Sequence, residues 1–311
     1  MVGMRIISGS ALPRPGTESG PGSGSGSALA SHDAPAAAMS ASKSATQENF
    51  PVGSWLLAPA KRAPVALYHA FARAADDIAD DPDRGPEQKL AELDAMDAVL
   101  LHGRAANNPD TDKAARLRPV LDRLGIPAAH ASELLIAFRR DATKRRYRDW
   151  AELIDYCRYS AAPVGRFLLD LHGESRATWP AADALCSSLQ VINHLQDCKP
   201  DYLRLDRVYL PEELFAAAGA GIPDLAGDRA GPGLRQVLDR CLDAVERLNR
   251  EARALPRLIR GRRMRLEAAV IVEIAHRLAA LLRRSDPIAA RVVLSAGGRL
   301  GSLLGGLRRA W

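Results

Sequence analysis

The sequence predicts an all-α fold, and two observations carry that expectation. Apolar residues make up 47% of the 311-residue chain and aromatic residues only 5%, so the apolar content is mostly alanine and leucine, which favour helix. Apolar stretches of helical period are separated by clusters of Gly, Pro, Asn and Asp, and alternating strand patterns never exceed two or three residues.

Residues 1–46 are rich in Gly, Ser, Ala and Pro with almost no large apolar side chains. Such a segment buries too little surface to offset its ordering entropy, so it is expected to be disordered. A single all-α domain is expected over 47–311, opening near "ENFPVGSWLL". Helices are predicted at 61–81, 87–103, 111–124, 130–140, 150–172, 181–199, 233–260, 265–284 and 287–308. Each is bounded by a breaker, among them "DPDRGPE", "NNPD", "GIP", "ESRATWP" and "AAAGAGIPDLAGDRAGPG".

The four cysteines, Cys157, Cys186, Cys198 and Cys241, form no CxxC pair. They read as buried thiols in a reducing compartment. No HxxxH pair suggests zinc. The formal charge of +6 conceals an asymmetry: from Arg235 to Trp311 there are 17 arginines against 7 acids, a net +10. Clustered arginine points to an anionic partner, and no nucleic-acid-binding motif is present to make that partner DNA or RNA. No apolar run approaches the roughly 20 residues that cross a bilayer, and no secretory signal is legible. A cytoplasmic location is expected.

Two helices carry the chemistry. "FARAADDIADD" places four aspartates in eleven residues. Asp76 and Asp80 are spaced i, i+4 and share a face, with Asp77 about 100° round. A solvated face is the ordinary explanation of a charge run, but the rest of this face is apolar. In "SLQVINHLQDCKPDY", Gln190, Asn193, Asp197 and Asp201 are spaced 3, 4 and 4, forming a polar stripe among Leu189, Val191, Ile192 and Leu195. Two such helices facing each other would hold hard divalent cations through oxygen. Mg²⁺ suits this arrangement, because it takes one or two carboxylates and completes its shell with water and substrate phosphate.

"FARAADDIAD" and "QVINHLQDCKPD" resemble the two aspartate-rich motifs of the squalene/phytoene synthases, with "YCRYSAAPVGR" and "RVYLP" similar to that family's intervening helix and following segment. The resemblance covers about Asn49 to Arg284. It implies an isoprenoid synthase-type helical bundle with a central apolar cavity and carboxylates at its mouth. Within the family, "ENFPVGSWLL", "FARAADDIAD", "YCRYSAAPVGR" and "LDRVYLP" are most similar to the hopanoid-pathway branch that makes hydroxysqualene. That branch ionises presqualene diphosphate and captures the rearranged cation with water, so NADPH is not expected. The alternatives are condensation of two farnesyl diphosphates to presqualene diphosphate, squalene or dehydrosqualene, or a non-catalytic binding protein of the same fold.

Carried over by residue, the resemblance implies Asp76, Asp80, Asp197 and Asp201 as Mg²⁺ and diphosphate ligands. Gln190 and Asn193 would contact diphosphate or metal-bound water; Asp77, Lys144, Arg146 and Arg207 are, apart from the resemblance, further candidates for binding substrate. Arg73 would neutralise the leaving group and Tyr156 would stand beside the reacting carbons. The family's tyrosine seven residues before the first aspartate is replaced by His69, with Tyr68 adjacent, so one of these two would fill that role. Pro200 falls within the second motif and should kink or end the helix, and Asp206 stands where the family has glycine. The basic run "FRRDATKRRYRDW" is read either as a solvated face or as a second diphosphate clamp. His194 reads as a packed histidine. Near the C-terminus Leu300, Leu303, Leu304 and Leu307 form an i, i+3, i+4, i+7 stripe beside Arg299, Arg308 and Arg309. That pattern suits either a core-facing helix or peripheral contact with an anionic membrane.

Overall fold

The structure is a computed structural model and describes residues 58–310. The segment 1–46 and the "ENFPVGSWLL" stretch lie outside the described residues. Among the described residues every regular element is helical, apart from an isolated parallel bridge between Arg146 and Val208.

One side of the bundle is built from α1 (Pro59–Asp80), α2 (Pro86–His102), α3 (Pro109–Leu124) and α4 (Ala129–Thr143). The first three open on proline, whose missing N–H is no loss in a first turn. Asn108 and Thr111 add a reciprocal capping box to α3. Glycines 103 and 125 end α2 and α3 in the left-handed conformation. α1 packs on α3 and α4, and α2 closes the group.

The centre is α7 (Trp179–Gln196), which packs against α5 (Trp150–Ser160), α6 (Ala162–Leu171), α10 (Pro232–Ala252) and α12 (Arg262–Arg284). Every residue from Ala184 to Gln196 is buried. A helix buried all round must find internal partners for its polar side chains. Accordingly Ser188 Oγ donates to Asn249 Oδ1 on α10 at 2.6 Å, and Gln196 Nε2 donates to the Val292 carbonyl at 2.5 Å. The "VG" of "YCRYSAAPVGR" sets the distance between α6 and α7. A Cβ on Gly165 would stand 2.5 Å from Cys186 Sγ, so only glycine permits this approach.

The remaining elements are α8 (Cys198–Leu205), α9 (Glu212–Ala218), α11 (Leu255–Leu258) and α13 (Ala296–Ala310). Four predicted spans need correction. The helix expected over 150–172 breaks at Ala161, because Pro163 cannot donate to the preceding turn and instead opens α6. The helix expected over 181–199 ends at Asp197, and Pro200 occupies the first turn of α8. The span 233–260 splits into α10 and α11, with Pro256 opening the second piece. Residues 286–295 are not part of the last helix. Ser295 caps it by accepting from Gly298 N at 3.1 Å. α9 was not anticipated. All four cysteines are buried free thiols, and burial pushes Cys198 and Cys241 up to about 12.

Candidate active site

The aspartates of α1 divide into two kinds. Asp77, on the exposed shoulder, receives a bidentate pair from Arg73 (Nε–Oδ2 3.1 Å, Nη2–Oδ1 2.6 Å), and Asp81 pairs with Arg84 at 3.0 Å. These behave as an ordinary solvated face. Asp76 is buried, and Asp80 accepts from the Nη1 of Arg207 at 2.8 Å. Lys89 of α2 donates to the Ala79 carbonyl at 2.9 Å, fixing the end of α1 beside this pair.

The second motif lies where α7 gives way to α8. Gln190, Asn193, Asp197 and Asp201 are all buried. The turn at Asp197 keeps the spacing across the break, because Asp201 N donates to the Asp197 carbonyl at 2.9 Å. Asp206 follows at φ 48°, ψ 38°. The family's usual glycine at this point is thus explained by a left-handed turn, which aspartate tolerates better than most side chains. Arg146 secures it, donating to both the carbonyl and the carboxylate of Asp206, while Val208 N donates to the Arg145 carbonyl.

That turn delivers Arg207 to the interior at 1% exposure. Its backbone N–H bonds the Asp201 carbonyl at 3.2 Å while its side chain reaches Asp80, so one residue ties the two acidic motifs together. Burial opposes its charge, but Tyr209, Asp141 and Asp80 more than offset this and hold the guanidinium protonated.

Beneath Arg207 lies a hub that the sequence did not reveal. Asp141 Oδ2 accepts from the Tyr156 hydroxyl at 2.7 Å and Oδ1 from the Tyr209 hydroxyl at 2.5 Å. The Asp141 carbonyl accepts from Arg207 Nη2 at 2.8 Å. Tyr147 and Tyr209 stack with centroids 5.3 Å apart, and Tyr156 is tilted toward Tyr209 at 5.2 Å. His194 lies flat on Tyr209 at 3.7 Å, in keeping with a packed histidine. Burial first, and the Asp141 charge second, raise the Tyr147 hydroxyl far above its ordinary value. Charge and a wall of π faces therefore adjoin.

Several expected residues are placed elsewhere. The Tyr68 hydroxyl is spent on the His130 carbonyl at 2.6 Å, and its ring stacks on Phe167. His69 instead lies seven residues before Asp76 on the same helix face. Burial, then the nearby Arg73 charge, lowers its pKa from the ordinary imidazole value. Lys144 pairs with Glu152 at 2.7 Å, and Arg146 with Asp206. Each of these two cations thus faces a carboxylate, as Arg73 does at Asp77. Arg291, whose Nε lies 3.5 Å from Asp197 Oδ1, was missed along with Asp141, Tyr147 and Tyr209. Its only signal was an arginine in a segment read as helix.

The donor set suits a hard divalent ion. Among the described residues no three His, Cys, Asp or Glu side chains gather tightly enough to enclose an ion. An ion here would draw one or two carboxylates from each motif and take its other ligands from water and phosphate, the habit of Mg²⁺. Gln190 Oε1 adds an observation in favour of a polar ligand. It is buried without a hydrogen-bond partner among the described residues, a costly state unless water or ligand meets it.

Comparison with known proteins agrees with this arrangement. The sequence model of the squalene/phytoene synthase family matches residues 44–297. A hydroxysqualene synthase of Sinorhizobium fredii is 46% identical over 249 residues, covering 80% of this chain and 84% of that protein. The hydroxysqualene synthase of Rhodopseudomonas palustris is 45% identical over 259 residues, covering 83% and 87%. The crystal structure of squalene synthase HpnC from Alicyclobacillus acidocaldarius superposes with a TM-score of 0.66 at 31% identity, covering 76% of this chain and 88% of that one. With two buried aspartate motifs joined across a helical bundle, the chain belongs to the squalene/phytoene synthase family.

Proposed function

We propose that this enzyme converts presqualene diphosphate to hydroxysqualene by ionising the diphosphate and capturing the rearranged carbocation with water. The observation that carries the reading is the adjacency of the two kinds of wall. Asp80 and Asp201 are joined through Arg207, and directly beneath Arg207 lies the ring cluster of Tyr156, Tyr209 and Tyr147. The high identity to two hydroxysqualene synthases supports water as the terminating nucleophile.

Asp76, Asp80, Asp197 and Asp201 would hold Mg²⁺. When bound, that ion supplies the positive charge that stabilises the departing diphosphate. Arg207 keeps Asp80 oriented, which preserves the geometry a charged transition state requires. Gln190 and Asn193 bind diphosphate oxygens or their water on the α7 face, and Arg73 and Arg291 stand at the rim. Tyr156 has its hydroxyl proton committed to Asp141. It therefore offers a cation its ring face and an oxygen lone pair, not an acidic proton. His69, hard to protonate beside Arg73, adds no second positive charge to the one Arg73 brings to that face. The reaction consumes no reductant, and its C30 product would leave toward an apolar phase at the surface of an anionic membrane, with hopanoid-type cyclisation as the neighbouring chemistry.

The test is incubation of purified enzyme with Mg²⁺ and presqualene diphosphate in ¹⁸O-water, without NADPH. A C30 alcohol carrying ¹⁸O is expected. If no alcohol forms, or if added NADPH diverts most product to squalene, the assignment fails while the family membership stands.

A further inference from the structure

α13 packs on α12 through its small residues. Gly301 faces Arg277, Gly305 faces Glu273, and Gly306 is so close to Val270 that a Cβ would stand 2.5 Å from Val270 Cγ2. Arg277 Nη2 donates to the Gly301 carbonyl at 3.1 Å. Because the small residues are turned inward, the leucines are turned out: Leu300 is 57% exposed, Leu304 53% and Leu307 36%. This is the reverse of an ordinary core-facing last helix, whose leucines would meet α12.

Charge accompanies the stripe. No acidic residue follows Asp286, whereas Arg291, Arg299, Arg308 and Arg309 do. Arg299 and Arg308 are exposed. α13 also touches α11, where Leu258 is 43% exposed and Arg257 is exposed beside it. The surface therefore spans about 22 Å of helix with leucine along it and arginine at both ends. Its near end lies by the site: the segment leading into α13 carries Val292, whose carbonyl is held by Gln196, and Arg291 beside Asp197. The match to the family stops at residue 297, so nearly all of α13 lies beyond the shared region.

We propose that the outer face of α13, with Leu258 and Arg257 of α11, is a docking surface for an anionic lipid bilayer. The leucines would enter the headgroup–acyl boundary while the arginines meet acidic headgroups. Attachment would be peripheral, since among the described residues no helix is long and apolar enough to cross a membrane. Exposed leucine alone would suit any apolar partner, but flanking arginine with no acid on α13 or α11, and Glu273 of α12 already paired with Arg277, selects a negatively charged surface.

Full-length protein sedimented with vesicles tests this directly. It should pellet with phosphatidylcholine–phosphatidylglycerol vesicles and far less with phosphatidylcholine alone. Combining Leu300→Glu, Leu304→Glu and Leu307→Glu should weaken anionic-vesicle binding by at least about tenfold. Arg299→Gln and Arg308→Gln should each weaken it by about fivefold, with little effect on neutral vesicles. All of these positions are exposed, so thermal midpoints should hold, and turnover of detergent-dispersed substrate should hold too. Vesicle binding is read without turnover, so its loss leaves the assigned reaction untouched. The proposal is overturned if wild-type protein stays in solution with anionic vesicles, or if the leucine variant pellets like wild type. A dimer in solution that the leucine variant dissociates, without vesicle binding, would make the stripe a self-association face and overturn it equally.

Discussion

Asp141 lies within a basic run, and from sequence it reads as one of two acids among six cations on a surface. In the fold it accepts from tyrosines 15 and 68 residues away. No local pattern announces such a partnership, because hydrogen bonds between distant segments leave no periodicity. Arg207 is the counterpart: its place after the second motif was legible, but its burial between Asp80 and Asp141 was not. Removing the Asp141 carboxylate strands two tyrosine hydroxyls in a dry interior, while Arg207 keeps Asp80 and the Asp141 carbonyl as acceptors. Asp141→Ala should therefore cost about 2–5 kcal/mol of stability, from two buried hydroxyls left unpaired, whereas Tyr156→Phe, which deletes one hydroxyl, should cost about 1 kcal/mol. Because both changes remove the same bond, the double variant should be less destabilised than the sum. Urea denaturation of the four proteins checks this, and strict additivity would contradict the hub.

At the scale of elements, helices were legible where both the apolar period and a breaker spoke. α1 and α2 are cases in point, ending near "DPDRGPE" and at Gly103. The interruption at Ala161 was harder to see, because the apolar period runs on through it and only Pro163 marks the break; Pro200 did announce the second, which falls three residues earlier, at Asp197. Those breaks matter to the site. The first lets Tyr156 and Gly165 belong to separate helices that both meet α7, and the second turns Asp201 toward Arg207. Gly165 gives the arrangement a test. Gly165→Ala sets a methyl 2.5 Å from Cys186 Sγ, and overpacking of this kind costs about 1–3 kcal/mol. Adding Cys186→Ala removes the sulfur and should restore much of that loss in thermal melts. If Gly165→Ala is harmless alone, or Cys186→Ala fails to relieve it, the close approach of α6 and α7 does not limit packing.

For the molecule as a whole, the two i, i+4 carboxylate pairs were the most informative signal in the chain. Like charges on otherwise apolar helices are unfavourable without a ligand, so their pattern points beyond folding. What the pattern could not give was how the pairs meet, since α1 and α7 belong to different parts of the bundle and the turn at Arg207 links their motifs. This arrangement makes a prediction about global stability. A ligand that bridges both motifs binds the folded chain alone and raises its stability by mass action. With Mg²⁺ and inorganic pyrophosphate about a hundredfold above Kd, the gain is about 2.7 kcal/mol, roughly 5–10 °C in Tm for a domain of this size. Mg²⁺ alone should do much less, because the phosphate oxygens complete its shell. Asp76→Asn and Asp197→Asn should each abolish most of the shift, measured against each variant's own ligand-free melting, and lower turnover by several orders of magnitude. Asp80→Asn should lose ligand-free stability as well, because it takes the counter-charge from buried Arg207. Scanning calorimetry with and without Mg²⁺ and pyrophosphate separates these outcomes. An undiminished shift in the Asp76 and Asp197 variants, or full activity in excess EDTA, would remove the bridging metal from the mechanism.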